Sequence, residues 1–93
     1  MKVRFNRGAL QDIGEILDYI SERNPPAASS LSLRFEFAAK LLATMPEIGA
    51  QTVQAQFRRL VVGNYIMAYE ITGDEVIIHY VRHGARKQPW EEE

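Results

Sequence analysis

Ninety-three residues, 46% hydrophobic and 25% charged, bound a single globular domain and leave no room for a second core. The lack of cysteine excludes a disulfide framework, a thiolate metal site and a thiol nucleophile, and fits a reducing cytoplasm. The formal charge is −1, with Glu91, Glu92 and Glu93 crowded at one end; that balance argues against direct nucleic-acid binding, which demands a basic excess.

Met1-Lys2-Val3-Arg4-Phe5 alternates apolar and charged residues, which predicts a strand and differs from the apolar run of a signal peptide. No apolar run anywhere is long enough for a membrane-spanning helix. Asn6 is placed to cap a helix from Arg7 to about Arg23. Leu10, Ile13, Ile16, Leu17 and Ile20 form its apolar face, and Asp12, Glu15, Asp18 and Glu22 an acidic back turned to solvent. Gly14 inside it costs about 1 kcal/mol against alanine, which leads us to expect close approach of another backbone. Asn24-Pro25-Pro26 ends that helix and starts a second, which runs to about Met45 before Pro46, so the two make a helical hairpin.

The second helix carries two apolar rows. Leu31, Phe35, Ala38, Leu42 and Met45 make the stripe that one sheet contact needs. Leu33, Phe37 and Leu41 make a further row, displaced around the cylinder, expected to be covered by the first helix, by a partner chain, or in part by each.

Residues 46–52 read as a loop. Three strands follow, Phe57–Val62, Tyr65–Ile71 and Glu75–His83, joined by Gly63-Asn64 and by Thr72-Gly73-Asp74. The expected fold is therefore α+β: an N-terminal strand, a helical hairpin, then an antiparallel three-stranded meander against which the hairpin packs. How the first strand joins the sheet does not follow from the residues.

Basic residues gather at Arg58 and Arg59, which open one strand, and at Arg82, His83, Arg86 and Lys87 around Gly84-Ala85. Meander geometry puts those two groups at opposite ends of the sheet, unless the tail folds back. His79 and His83 share a strand face but stand about 13 Å apart, too far for one metal ion, so His79 reads as a half-buried sheet residue. Glu47, His83 and the arginines offer acid, base and cation for RNA chemistry, though most soluble domains offer as much. No zinc spacing, phosphate-cradling loop or cofactor motif is present in the sequence.

Several fragments taken in order carry more information. Ala9-Leu10-Gln11-Asp12-Ile13-Gly14-Glu15-Ile16 with Tyr19-Ile20, then Asn24-Pro25-Pro26-Ala27-Ala28, then Pro46-Glu47-Ile48-Gly49 come first. Arg59-Leu60-Val61-Val62-Gly63-Asn64-Tyr65, Tyr69-Glu70-Ile71 and His83-Gly84-Ala85-Arg86 complete the series. Together they resemble the ParE/RelE toxin superfamily of type II toxin–antitoxin systems across nearly the whole chain, the last fragment resembling the ParE branch.

The resemblance implies a toxin neutralised by a co-encoded protein antitoxin, with Leu33, Phe37 and Leu41 as its binding candidates. RelE-like members are implied to cut mRNA on ribosomes, ParE-like members to inhibit DNA gyrase without hydrolytic chemistry. Ile66 and Met67 stand where nuclease members carry an arginine, the chain is mildly acidic, and Trp90 is no substitute for a C-terminal tyrosine. These departures favour gyrase inhibition, with Arg58, Arg59, Arg82, His83, Arg86 and Lys87 as target-contacting candidates and no catalytic residue. The alternatives are a RelE-like endoribonuclease and a non-toxic binding module.

Overall fold

The computed structural model describes residues 1–84. The chain runs β1 (Lys2–Phe5), α1 (Arg7–Ser21), α2 (Pro25–Thr44), β2 (Ala50–Gln51), β3 (Arg58–Val62), β4 (Tyr65–Thr72) and β5 (Glu75–His83). Both helices start where an asparagine side chain accepts an otherwise orphaned amide: Asn6 from Ala9 at 2.9 Å and Asn24 from Ala27 at 3.1 Å. The joint is tight because the Asn24 N–H still donates to Ile20 O (2.7 Å) while Pro25 and Pro26 open α2.

Strands β3, β4 and β5 form the expected antiparallel meander. Val62 pairs with Tyr65 and Thr72 with Glu75, so both turns hold two residues, Gly63-Asn64 and Gly73-Asp74, the second one shorter than expected. The φ angles of Gly63 and Gly73 are +61° and +60°, a conformation that glycine adopts without a Cβ penalty.

The sheet as a whole is mixed and five-stranded, in the order β1-β5-β4-β3-β2. β1 lies parallel to β5, Lys2 opposite Glu75 and Phe5 opposite Ile78. The helical hairpin is the crossover that a parallel pair requires. Part of the expected 46–52 loop pairs as well, since Ala50 and Gln51 meet Arg59 and Arg58.

The core lies between the hairpin and one sheet face. Ala9, Leu31, Phe35, Ala38 and Leu42 meet Val62, Met67, Tyr69, Val76, Ile78 and Val81. Burying a large aliphatic or aromatic side chain contributes about 1.5–3 kcal/mol, so this layer dominates the favourable side of folding.

Four expectations about the helices change. Leu10 is exposed although it sits in the apolar row, and Met45 lies half out of the core. Nothing lies within 4 Å of a Cβ built on Gly14, so no neighbouring backbone explains that glycine. Asp12 does not face solvent: its carboxylate accepts the Val81 N–H at 3.0 Å and pairs with Arg82. The reason is that β1 stops opposite Ile78 and leaves the next stretch of β5 without a strand neighbour. The acid from α1 takes the edge amide that β1 would have taken.

Candidate functional site

The basic candidates divide by what holds them. Arg58 donates from Nη1 to the carbonyls of Gly49 (2.8 Å) and Glu47 (3.2 Å) and so braces the loop after α2. Tyr69 anchors the same loop from beneath, its hydroxyl accepting from Gly49 N (2.9 Å) and donating to Pro46 O (2.7 Å). Tyr69 is fully buried, and burial pushes its phenol above the ordinary value of 10.0. A Cβ on Gly49 would lie 2.6 Å from both Arg59 O and the Tyr69 hydroxyl, so only glycine fits there. Arg58 and Glu47 are thus parts of a loop staple.

Arg82 is bound to Asp12, and its guanidinium stands 5.3 Å from the centre of the Tyr80 ring. His83 meets Tyr65 edge-on at 5.4 Å, and Tyr65 meets Phe35 at 6.1 Å, a chain of rings leading from the strand end into the core. Arg86 and Lys87 lie outside the described residues. Beside Arg82 and His83, a polar cavity of about 610 Å³ opens between α1 and β5, with Gln11, Glu15 and Tyr19 on its far wall.

Arg59 lies closer to this region than meander geometry led us to expect. It pairs with Ala68, which pairs with Tyr80, so the three share one row on the sheet face away from the helices. Val61, Ile66 and Arg82 form the next row. The backbones at Arg59 and Arg82 are thus about 12 Å apart by strand spacing and rise, a shared face without a contact.

On that face His79 is the extra residue of a β-bulge, since Tyr69 pairs with Ile78 and Ala68 with Tyr80. The Asn6 carbonyl oxygen is committed to Ala9 N, so its amide nitrogen faces His79 Nδ1 (3.1 Å) as donor. The ring proton then sits on Nε2, donating to Glu70 at 2.7 Å. Phe57 packs edge-on against the ring at 5.1 Å. His79 is half-buried, as its place in the strand led us to expect, and both ring nitrogens are occupied. Among the described residues, no three His, Asp or Glu side chains gather as metal ligands would.

The second apolar row of α2 is left uncovered by α1. Leu33 and Phe37 are 65% and 66% exposed, so the first helix does not cover them. With Leu41 they form one wall of an apolar groove of about 380 Å³, closed on the other side by Leu60 and Val62 of β3. Arg34 is the one charged residue among the described residues lining it.

A sequence model described as the ParE toxin of the type II toxin–antitoxin system parDE matches residues 3–88. The chain belongs to the ParE toxin family. This ParE-family toxin is also 37% identical over 78 residues to Toxin RelE2 of Caulobacter vibrioides, covering 84% of this chain and 89% of that one. Its fold matches a structure described as the chromosomal ParDE system from P. aeruginosa, with a TM-score of 0.78 at 19% identity. The match covers 89% of this chain and 95% of that one. Family membership implies a protein antitoxin as partner. Both the ParE and the RelE name occur among these relatives, so kinship assigns the toxin class and leaves its target to other arguments.

Residue patterns missed Asp12, whose role depends on where β1 ends. They also missed the Tyr69–Gly49 staple, which joins positions twenty residues apart, and the Asn6–His79–Glu70 chain. A glycine three residues after a loop proline, in Pro46-Glu47-Ile48-Gly49, was the available hint of the staple.

Proposed function

We propose that this ParE-family toxin inhibits DNA gyrase in the cytoplasm, cuts no RNA itself, and is silenced by an antitoxin seated in the α2–β3 groove. The observation that carries the target assignment is how the cations are engaged. Cleavage through a 2′-hydroxyl needs cations preorganised around a developing phosphorane, with an acid and a base beside them. Among the described residues, Arg58 is spent on loop carbonyls, Arg82 on Asp12, and His79 on Asn6 and Glu70. The middle strand supports the same reading, because Met67 and Ala68 are fully buried and Ile66 brings no charge. A protein that acts by docking on another protein needs none of that machinery. Arg59, Arg82 and His83, with Arg86 and Lys87, are the residues assigned to contact the target.

A gyrase supercoiling assay with purified toxin, run beside mapping of mRNA ends on translating ribosomes, tests the assignment. Loss of supercoiling with intact mRNA is expected. The name RelE2 on a relative and the Arg59, Tyr80 and Arg82 side chains on one sheet face favour the alternative, cleavage of ribosome-bound mRNA. Cuts at codon-defined positions that vanish with His83→Ala would establish it. For the antitoxin seat, Phe37→Asp should weaken the complex and leave the fold intact, since Phe37 is mostly exposed.

A further inference from the structure

We infer that the polar cavity between α1 and β5 is a binding site for a guanidinium group, carried by an arginine side chain or by a small guanidine compound. The site lies on the other flank of the hairpin from the α2–β3 groove, and it does not depend on which target the toxin inhibits.

The bonding phase of β5 supplies the first acceptor. Val81 N donates to Asp12 on the α1 side (3.0 Å), and Gly84 N donates to Asn64 O on the β4 side (2.8 Å). The N–H and C=O of one strand residue point the same way, and the direction alternates along the strand. The Val81 carbonyl therefore also points toward α1. β1 ends opposite Ile78, and among the described residues nothing donates to that carbonyl. Val81 is only 1% exposed, so its oxygen is reached through the cavity that the residue lines. A buried carbonyl without a donor costs free energy, which an occupant bearing N–H groups recovers.

Charge then selects the occupant. Asp12, Glu15 and Arg82 are the charged residues of the lining, and Asp12 and Arg82 neutralise each other. Glu15 accepts from the Gln11 amide (3.2 Å), a neutral donor, and pairs with no cation among the described residues. One negative charge is thus left uncompensated. An anion is repelled, and a neutral amide leaves that charge unpaired. A metal ion finds too few ligands, since no three His, Asp or Glu side chains gather among the described residues.

A guanidinium meets each requirement. Its planar fork of five donors can take Glu15 on two nitrogens and still reach the Val81 carbonyl. Its flat face suits an aromatic ring, and Tyr19 and Tyr65 both line the cavity. Tyr19 already holds the Arg23 guanidinium 3.7 Å from its ring centre, and Arg23 stays outside the lining. A volume of about 610 Å³ admits a whole side chain as well as its tip.

Titration of isotopically labelled toxin with the tripeptide acetyl-Gly-Arg-Gly-amide, followed by the amide NMR signals of Glu15 and Val81, tests the site. Both signals should shift saturably in the millimolar range. The citrulline peptide, of the same shape without the charge, should bind at least fivefold more weakly. Glu15→Gln should raise the Kd at least fivefold, whereas Glu22→Gln, at an exposed acid just past α1, should leave it unchanged. Signals that stay put with the arginine peptide overturn the site. So does an equal loss of binding in the two variants, which would reduce the effect to diffuse attraction. Ethylguanidinium titrated beside the peptide separates the sources: tighter binding of the peptide assigns the site to a protein's arginine, tighter binding of the free guanidine to a small molecule.

Discussion

Tyr69→Phe deletes one oxygen and leaves the ring, so it isolates the staple on the loop after α2. The hydroxyl serves a buried bond from Gly49 N and a second to Pro46 O. Leaving the Gly49 amide without a partner costs about 1–3 kcal/mol, and losing the Pro46 bond about 0.5–1.5 more. A total of roughly 2–4 kcal/mol is a large share of the few to about 14 kcal/mol expected for a domain this size. It corresponds to a fall in Tm on the order of 10–25 °C. Urea and thermal unfolding of both proteins at neutral pH measure it.

The same residue gives a pH signature. Its folded phenol titrates above 10.0, so between the two values the unfolded chain has released a proton that the folded one keeps. Stability must therefore fall as pH rises past 10.0, and this contribution is absent from the phenylalanine variant. A loss below about 0.5 kcal/mol at neutral pH would mean that water or loop movement replaces the hydroxyl, and the staple would be refuted.

Gly14→Ala should stabilise by about 1 kcal/mol, because the added methyl meets nothing within 4 Å and removes glycine's entropy cost; thermal unfolding would register a gain in Tm. Asp12→Ala should cost about 2 kcal/mol in denaturant titrations by orphaning the Val81 edge amide, with Asp12→Asn recovering part of it. Arg82→Ala with Arg86→Ala should reduce growth arrest on expression without antitoxin. The Asp12 contact limits the stability loss to about 1 kcal/mol, and arrest equal to the parent's would dismiss the segment.

What was legible in the residues was whatever short-range chemistry controls. Gly63-Asn64 and the Gly73-Asp74 part of Thr72-Gly73-Asp74 marked the hairpins, Asn6 and Asn24 the helix starts, and of the surplus row Leu33, Phe37 and Leu41 the first two lie exposed. What escaped were relations across the chain. Val3 and Phe5 do not specify that their partner is β5, because a parallel pair has no turn to set its register. With β1's reach unknown, Asp12 looked like any helix-surface acid. At the candidate site, residue type signalled charge but not commitment: Arg58, Arg59 and Arg82 read alike, and only the fold assigns two of them to internal partners.

The parallel pairing of β1 with β5 also orders events in time. β5 is flanked by β1 and β4 and follows every other described element, so an interior strand of the sheet emerges from the ribosome after the elements it joins. Until it arrives, β1 has no neighbour, and the apolar faces of α1 and α2 lack Val76, Ile78 and Val81 to cover. Pairings this distant in sequence are slow to close, and the waiting helices expose apolar surface meanwhile. The helical hairpin is thus unable to complete its core until β5 has been made.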